Sequence, residues 1–337
     1  MFILGIISSY IAHVWTGVLT ALTPPTVATG TNPRGMATST DGKSVYVVNY
    51  TSNTVSMYVR NTTTGVLSGR VDYPTGANPW AVVVSVDGTS VYVTNFNNAT
   101  ISMYSRDTAN GTLSTKTDYT TGTNPEGLTI SADGKSVYVA NTSSKTVSLF
   151  TRNTSNGTLA IKVDYPTGLF PYQVIMNYTG TNVYTINDGD NSITQYTRDI
   201  NTGNLSGQVS YATNTQPYNI SISPDERSIY VSYYAVNLIT LYSRNITTGN
   251  LTFFANYVAN GTSYYNVISP DGMSVYNISF NSNTISAYAR DIFSGALSGK
   301  TDYAVSGNPI GLTMSQDGNS VYVGTYTSSD IKMFSRV

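Results

Sequence analysis

The chain has 337 residues, a formal net charge of −1 and 10% charged residues, with no cysteine. That balance leaves no basic surface for nucleic acid and no acidic tail. The missing cysteines exclude disulfides, thiolate zinc sites and cysteine nucleophiles.

In chain order, the first stretch is apolar, running MFILGII from Met1 with no Lys or Arg before it. It is too short for a transmembrane helix, so no transmembrane anchor is expected. It reads in two ways. One is a targeting segment, although its cleavage end is poorly defined. The other is an extra strand, because residues 10–19 (YIAHVWTGVL) align with residues 288–297 (YARDIFSGAL). Residues 1–16 are therefore set apart from residues 17–337.

From there the chain repeats. Val45-Tyr46 returns as Val91-Tyr92, Val137-Tyr138, Val183-Tyr184, Ile229-Tyr230, Val275-Tyr276 and Val321-Tyr322, always 46 residues on. In the first copy, residues 32–39 are predicted as strand A and Asp41-Gly42 as a tight hairpin turn. Residues 44–49 form strand B, 54–60 strand C and 66–75 strand D, with polar turns between. Four short strands per 46-residue unit, seven times over, predict an all-β, seven-bladed β-propeller. Strands B and C are apolar on both sides, as expected when each blade packs between two neighbours. The last repeat stops at strand C, and residues 17–30 match the missing strand D, with Pro24-Pro25 as two extra residues. The N-terminal strand is thus expected to complete the seventh blade.

Several columns of the repeat read as structural. Arg60, Arg106, Arg152, Arg198, Arg244, Arg290 and Arg336 end every strand C. They are expected to bond turn carboxylates or loop carbonyls in each blade. Asp41, Asp87, Asp133, Asp225, Asp271 and Asp317 are turn residues, with Thr179 the exception. Of the 28 tyrosines, 18 fall on three repeat positions and are expected to pack between blades.

The motifs S-x-D-G-x-S-V-Y-V-x-N, N-T-[VI]-S-x-Y and T-G-x-L resemble the YVTN-type β-propeller repeat, and Tyr92-Val93-Thr94-Asn95 is that tetrapeptide itself. The R-[ND]-x-x-T-G-x-L segment resembles the lactonase-family propellers that include bacterial 6-phosphogluconolactonase. The resemblance implies the propeller fold. It also implies two kinds of relative, surface-layer or adhesive proteins and lactonases.

One column varies where its neighbours do not: Arg34, Trp80, Glu126, Tyr172, Tyr218, Tyr264 and Ile310. It begins the innermost strand and is expected to ring one mouth of the central channel. The next column adds Gln173, Asn219 and Tyr265. Aromatic rings beside amides suit a sugar or a small polar ligand. Arg34 and Glu126 are the charges of this column and could polarise an ester and activate water. The single histidine, His13, lies outside the repeats. No metal or cofactor is expected. The nearest approach to a calcium site is the turn holding Asp188 and Asp190, which lacks the spacing of a full calcium loop.

Fourteen Asn-x-Ser/Thr sequons occur: Asn49, Asn61, Asn98, Asn110, Asn141, Asn153, Asn156, Asn177, Asn204, Asn219, Asn245, Asn250, Asn260 and Asn277. Together with the Asn, Thr, Ser and Tyr surface, they favour an extracellular or cell-surface glycoprotein. The leading expectation is a non-enzymatic structural or adhesive protein that self-associates into a filament or lattice through residues 1–16. A propeller binding cell-surface glycans or a small ligand is the first alternative. A lactonase-like hydrolase is the second.

Overall fold

The computed structural model describes residues 17–337. His13 and the reading of residues 1–16 as a targeting or assembly segment lie outside the described residues. Within them, 28 strands, β1 to β28 in chain order, form seven four-stranded antiparallel sheets. The first sheet shows the plan: β2 (Pro33–Thr38), β3 (Ser44–Asn49), β4 (Thr54–Arg60) and β5 (Leu67–Pro74), hydrogen-bonded in that order. The expected boundaries hold to within a residue. All six residues of β3 are buried, which accounts for its unbroken apolar run.

The seventh sheet closes the circle. β1 (Leu19–Ala28) lies antiparallel beside β28 (Asp330–Arg336), which pairs in turn with β27 (Ser320–Thr325) and β26 (Pro309–Met314). Leu19 faces Arg336 and Ala28 faces Asp330. The two extra residues Pro24-Pro25 fall within a register shift between Ala21 and Thr26.

The strand-C arginines tie blades together, and here the structure corrects the sequence reading. The carboxylate that each arginine meets generally belongs to the preceding blade, not its own. The Arg60 Nη2 atom lies 2.9 Å from Asp317 Oδ2 and 3.0 Å from Ser320 Oγ, across the closure. Its Nε donates to Tyr322 Oη at 2.9 Å, while Nη1 returns to Gly42 O in its own blade. Tyr322 Oη then donates to Gly65 O at 2.6 Å. The Val-Tyr tyrosines are therefore anchored at both ends, ring and hydroxyl. The same arginine–aspartate pair recurs at Arg106–Asp41, Arg152–Asp87, Arg198–Asp133, Arg290–Asp225 and Arg336–Asp271. Burial pushes Asp87 upward, but its bonds to Ser85, Thr89 and Arg152 outweigh that and hold it down to about 2. A carboxylate depressed in the fold stabilises above its ordinary range, and that contribution is lost only as pH falls through the lowered value.

Blade 4 departs from this scheme. Its turn carries Asn177, Thr179 and Asn182 where the others carry Ser, Asp and Ser. The missing carboxylate comes from Glu226, which occupies the glycine position of the next turn at φ 59°. Glu226 Oε2 accepts from Asn177 Nδ2 at 2.9 Å and Thr179 Oγ1 at 3.1 Å, and lies 3.3 Å from Arg244 Nη1.

Burial removes five glycosylation candidates. Asn49, Asn141, Asn177, Asn219 and Asn277 are each at most 4% exposed. Asn49 Nδ2, for example, donates to Thr54 and Ser56 across the β3–β4 pair. Asn61, Asn98, Asn110, Asn153, Asn156, Asn204, Asn245 and Asn250 are exposed, and Asn260 is half-buried.

Glu226→Gly strands the buried Arg244 charge, a loss of about 3 kcal/mol. Removing a non-glycine residue from positive φ returns about 1 kcal/mol. The expected net loss is about 2 kcal/mol, read from urea midpoints. Thr179→Asp alone should also destabilise, because it sets a second carboxylate beside Glu226. The double variant should recover most of the loss, whereas additive losses would refute the compensation.

Candidate functional site

The inner strands form the channel wall: β2, β6 (Pro79–Val84), β10 (Pro125–Ile130), β14 (Pro171–Met176), β18 (Pro217–Ile222), β22 (Ser263–Ile268) and β26. Each touches the next, and β26 touches β2. At their N-terminal ends the strands crowd. A Cβ on Gly311 would lie 2.2 Å from Arg34 O, and one on Gly127 would lie 2.7 Å from Gln173 Cα. Gly35, Gly127 and Gly311 are glycine in that column because there the wall is backbone against backbone.

The variable column lies where expected, at the strand starts, but its members divide into two groups. Arg34 is sandwiched, with Cζ 3.9 Å from the Trp80 ring centre and 4.6 Å from that of Tyr50. Trp80 stacks on Phe96 at 5.3 Å. Across the channel, the Tyr218 ring packs edge-on against Tyr172, Tyr264 and Tyr265 at 5.6, 4.8 and 5.8 Å.

A second column completes the site, and the sequence reading passed over it as the start of the B–C turn. Tyr50, Phe96, Thr142, Asp188, Tyr234, Phe280 and Tyr326 follow strand B at the same 46-residue step. Tyr234 lies 5.4 Å from Tyr264, and Phe280 lies 5.1 Å from Tyr264. Variation alone did not single this column out, because the next position varies as well, through Thr51, Asn97, Ser143, Gly189, Ala235, Asn281 and Thr327.

Glu126 and Arg34 are the unspent groups. Glu126 is 3% exposed, and its Oε2 has no hydrogen-bond partner among the described residues. Its backbone is pinned by Thr94 Oγ1, which donates to Glu126 O at 2.7 Å. Arg34 Nε is likewise buried without an acceptor. The two form no ion pair within 4.0 Å. Burial holds the Glu126 carboxyl well above its usual range, Thr142 and the Arg34 charge oppose that, and Asp188 adds to it. Burial also raises Asp188. The tyrosine hydroxyls move upward too: burial raises Tyr172, Tyr218 and Tyr264, and takes Tyr265 to about 12. Those phenols stay neutral near neutral pH, so proton transfer falls to the carboxyls.

Below this layer lies a cavity of about 470 Å³. Arg34, Gln173, Asn219 and Tyr265 line its upper end, and Tyr178 and Gln316 its lower end. Arg34 is the one charged residue among those lining it.

The remaining candidates fare differently. Asn219 is buried, and its Oδ1 accepts from Asn266 N–H at 3.0 Å, so its carbonyl is spent. Tyr264 is 9% exposed and packs within the aromatic cluster. Asp188 and Asp190 do not converge on a calcium site. Asp190 Oδ2 accepts from Leu169 N–H at 2.5 Å, while Asp188 stands with Glu126 and Tyr172.

The sequence profile of the family described as "Lactonase, 7-bladed beta-propeller" matches residues 15–84, 70–176 and 171–265. No curated protein sequence matches the chain. Among solved structures, a Bacteroides fragilis protein provisionally described as a 6-phosphogluconolactonase superposes with TM-score 0.75 at 21% identity, covering 83% of this chain and 86% of that one. The Pseudomonas aeruginosa periplasmic gluconolactonase gives 0.71 at 17%, covering 81% and 85%. The Kuenenia stuttgartiensis hydrazine synthase gives 0.72 at 18%, covering 90% and 95%. These structural likenesses establish the fold alone. The profile match overturns the expectation of a non-enzymatic chain, because the family it describes is one of lactonases. With its seven blades, its closing strand and that match, the chain belongs to the lactonase family of seven-bladed β-propellers.

Proposed function

We propose that the protein hydrolyses a lactone at the mouth of the central channel where the inner strands begin. One observation carries this reading: Arg34 Nε and Glu126 Oε2, both on the variable column of the inner strands, are buried with no hydrogen-bond partner among the described residues. Leaving a buried guanidinium nitrogen and a buried carboxyl oxygen without partners costs free energy, and an active site is a common setting for such groups. The chemistry divides between them. The Arg34 guanidinium faces the lactone carbonyl and stabilises the oxyanion that forms on attack. Glu126, ionised, takes a proton from the attacking water. The water oxygen bonds to the carbonyl carbon, and the ring C–O bond breaks. Glu126 then returns its proton to the departing ring oxygen, leaving a hydroxy acid. A carboxyl raised above its ordinary range is a stronger base once ionised, which suits proton abstraction from water. The half-buried rings of Tyr172 and Tyr218 add apolar surface for the carbon skeleton of a ring substrate.

Arg34→Met is expected to lower kcat/KM for lactone opening by about 10²–10³. Glu126→Gln is expected to lower it by about 10²–10⁴. A pH-stat assay across aldonolactones and alkyl lactones checks both, and lactone opening no faster than in the two variants would overturn the reading. In the wild type, kcat/KM should rise with pH through the elevated Glu126 value. Stability should move the other way. A carboxyl raised by folding stabilises at pH below its ordinary range, and that contribution is lost as pH climbs through the folded value. Urea midpoints of the wild type should therefore fall with rising pH over that window, and those of Glu126→Gln should fall less.

A further inference from the structure

The outer strand of every blade is a sheet edge, with a row of backbone groups open to another strand. Six of the seven edges are blunted. β5 carries the Arg70–Asp72 ion pair and Gly69 at φ 61°. β9 (Thr117–Thr120) is short and is flanked by the Lys116–Asp118 pair. β13 (Leu159–Pro166) carries Lys162–Asp164, and β17 (Leu205–Ala212) carries Gly207 at φ 58°. β25 (Leu297–Ala304) carries both Lys300–Asp302 and Gly299 at φ 59°. β1 has Pro24-Pro25. Charges, left-handed glycine bulges and prolines are the devices that keep edges from pairing.

β21 (Leu251–Val258, LTFFANYV) has none of them. Phe253 stands where β5, β17 and β25 have the glycine. Phe254 and Asn256 replace both members of the ion pair. The strand keeps a one-residue register shift between Leu241 and Tyr242, yet it pairs on both sides of it over its full length. Its side chains are uncovered: Phe253 is 58% exposed, Phe254 48% and Val258 71%. Beside it, Phe293 is 75% exposed and shares with Phe254 and Ile246 a groove of about 490 Å³.

We propose that two copies of the chain pair antiparallel through β21 about a twofold axis, joining two blades into one eight-stranded sheet. The free edge calls for a strand. The edge has no charge to select a charged partner, whereas an uncharged β-prone strand matches it, and β21 of a second copy is such a strand. A twofold makes the contact self-complementary, so both edges are consumed at once and the assembly closes as a dimer. Phe253, Phe254 and Phe293 of each copy are then covered together. This inference is independent of the channel chemistry and places self-association on β21 instead of residues 1–16.

Sedimentation velocity over a concentration series tests it with the full chain. The wild type is expected to be dimeric. Phe254→Lys with Asn256→Lys adds charge at exposed edge positions where four other blades already carry an ion pair, and sets like charges across the twofold in any register. Its dissociation constant should rise by about 100-fold or more. Hydrogen exchange supplies a readout that does not depend on the variant: amides of residues 252–258 should become more protected as wild-type concentration rises. A wild type that stays monomeric, or a variant that dimerises as the wild type does, would overturn the proposal.

Discussion

The fold depends on one repeated interaction: a buried guanidinium ending strand C that is satisfied mainly by the blade before it. A guanidinium has five donors in a rigid fork and cannot shed its charge, so every copy must find its acceptors in place. In Arg60 those acceptors are a tyrosine hydroxyl, a carboxylate, a serine hydroxyl and a carbonyl. Four of the five groups in this clamp sit at set distances along the repeat. An insertion between them would move an acceptor away from a charge that cannot be left alone. That explains a period kept at 46 residues through seven copies. Blade 4 follows the same rule: its turn lost the aspartate, and Glu226 supplies a carboxylate from the neighbouring turn.

The clamp also makes the candidate site stand out by contrast. The strand-C arginines are spent on structure, and Arg34 Nε has no acceptor. The chain has two glutamates. Glu226 accepts from Asn177 and Thr179 and pairs with Arg244, while Glu126 keeps a lone buried oxygen. The same residue types thus appear in satisfied and unsatisfied forms within one molecule. Burial is nearly equal in the two glutamates, so the missing partners, not depth, set Glu126 apart.

Much of the fold could be read from periodicity. Strands B and C were placed to the residue, and the match between residues 17–30 and strand D was enough to close the ring. The variable column at the strand-A starts was legible for the same reason: in a near-perfect repeat, variation marks positions that packing does not dictate. Other features were not legible, because a period gives spacing within a blade but not which blade answers. Turn carboxylates and loop carbonyls were expected for the strand-C arginines, but not which blade supplies them: Arg60 takes Gly42 O from its own blade and Asp317 from 257 residues away in sequence. Tyr50 and its echoes were lost in a polar turn, although they bend back over the channel. The sequons misled at Asn49, Asn141 and Asn277, where the motif asparagine is turned inward to bridge two strands. The functional expectation failed differently. Composition weighed toward a surface protein, while the two residues proposed to carry chemistry are only two among 337.

The seam in the seventh blade has a mechanical meaning. Leu19 at the start of β1 faces Arg336 at the end of β28, and Val337 N–H bonds to Val18 O at 3.0 Å. The two ends of the described chain therefore leave the molecule side by side. Tension applied between them loads that antiparallel pair from its end, so its bonds break in succession, as in a zip. Blades elsewhere in the ring would be loaded only after the seam had opened. A circle held shut by its own first strand resists heat cooperatively, yet under a pull between its termini it has one designated place to yield.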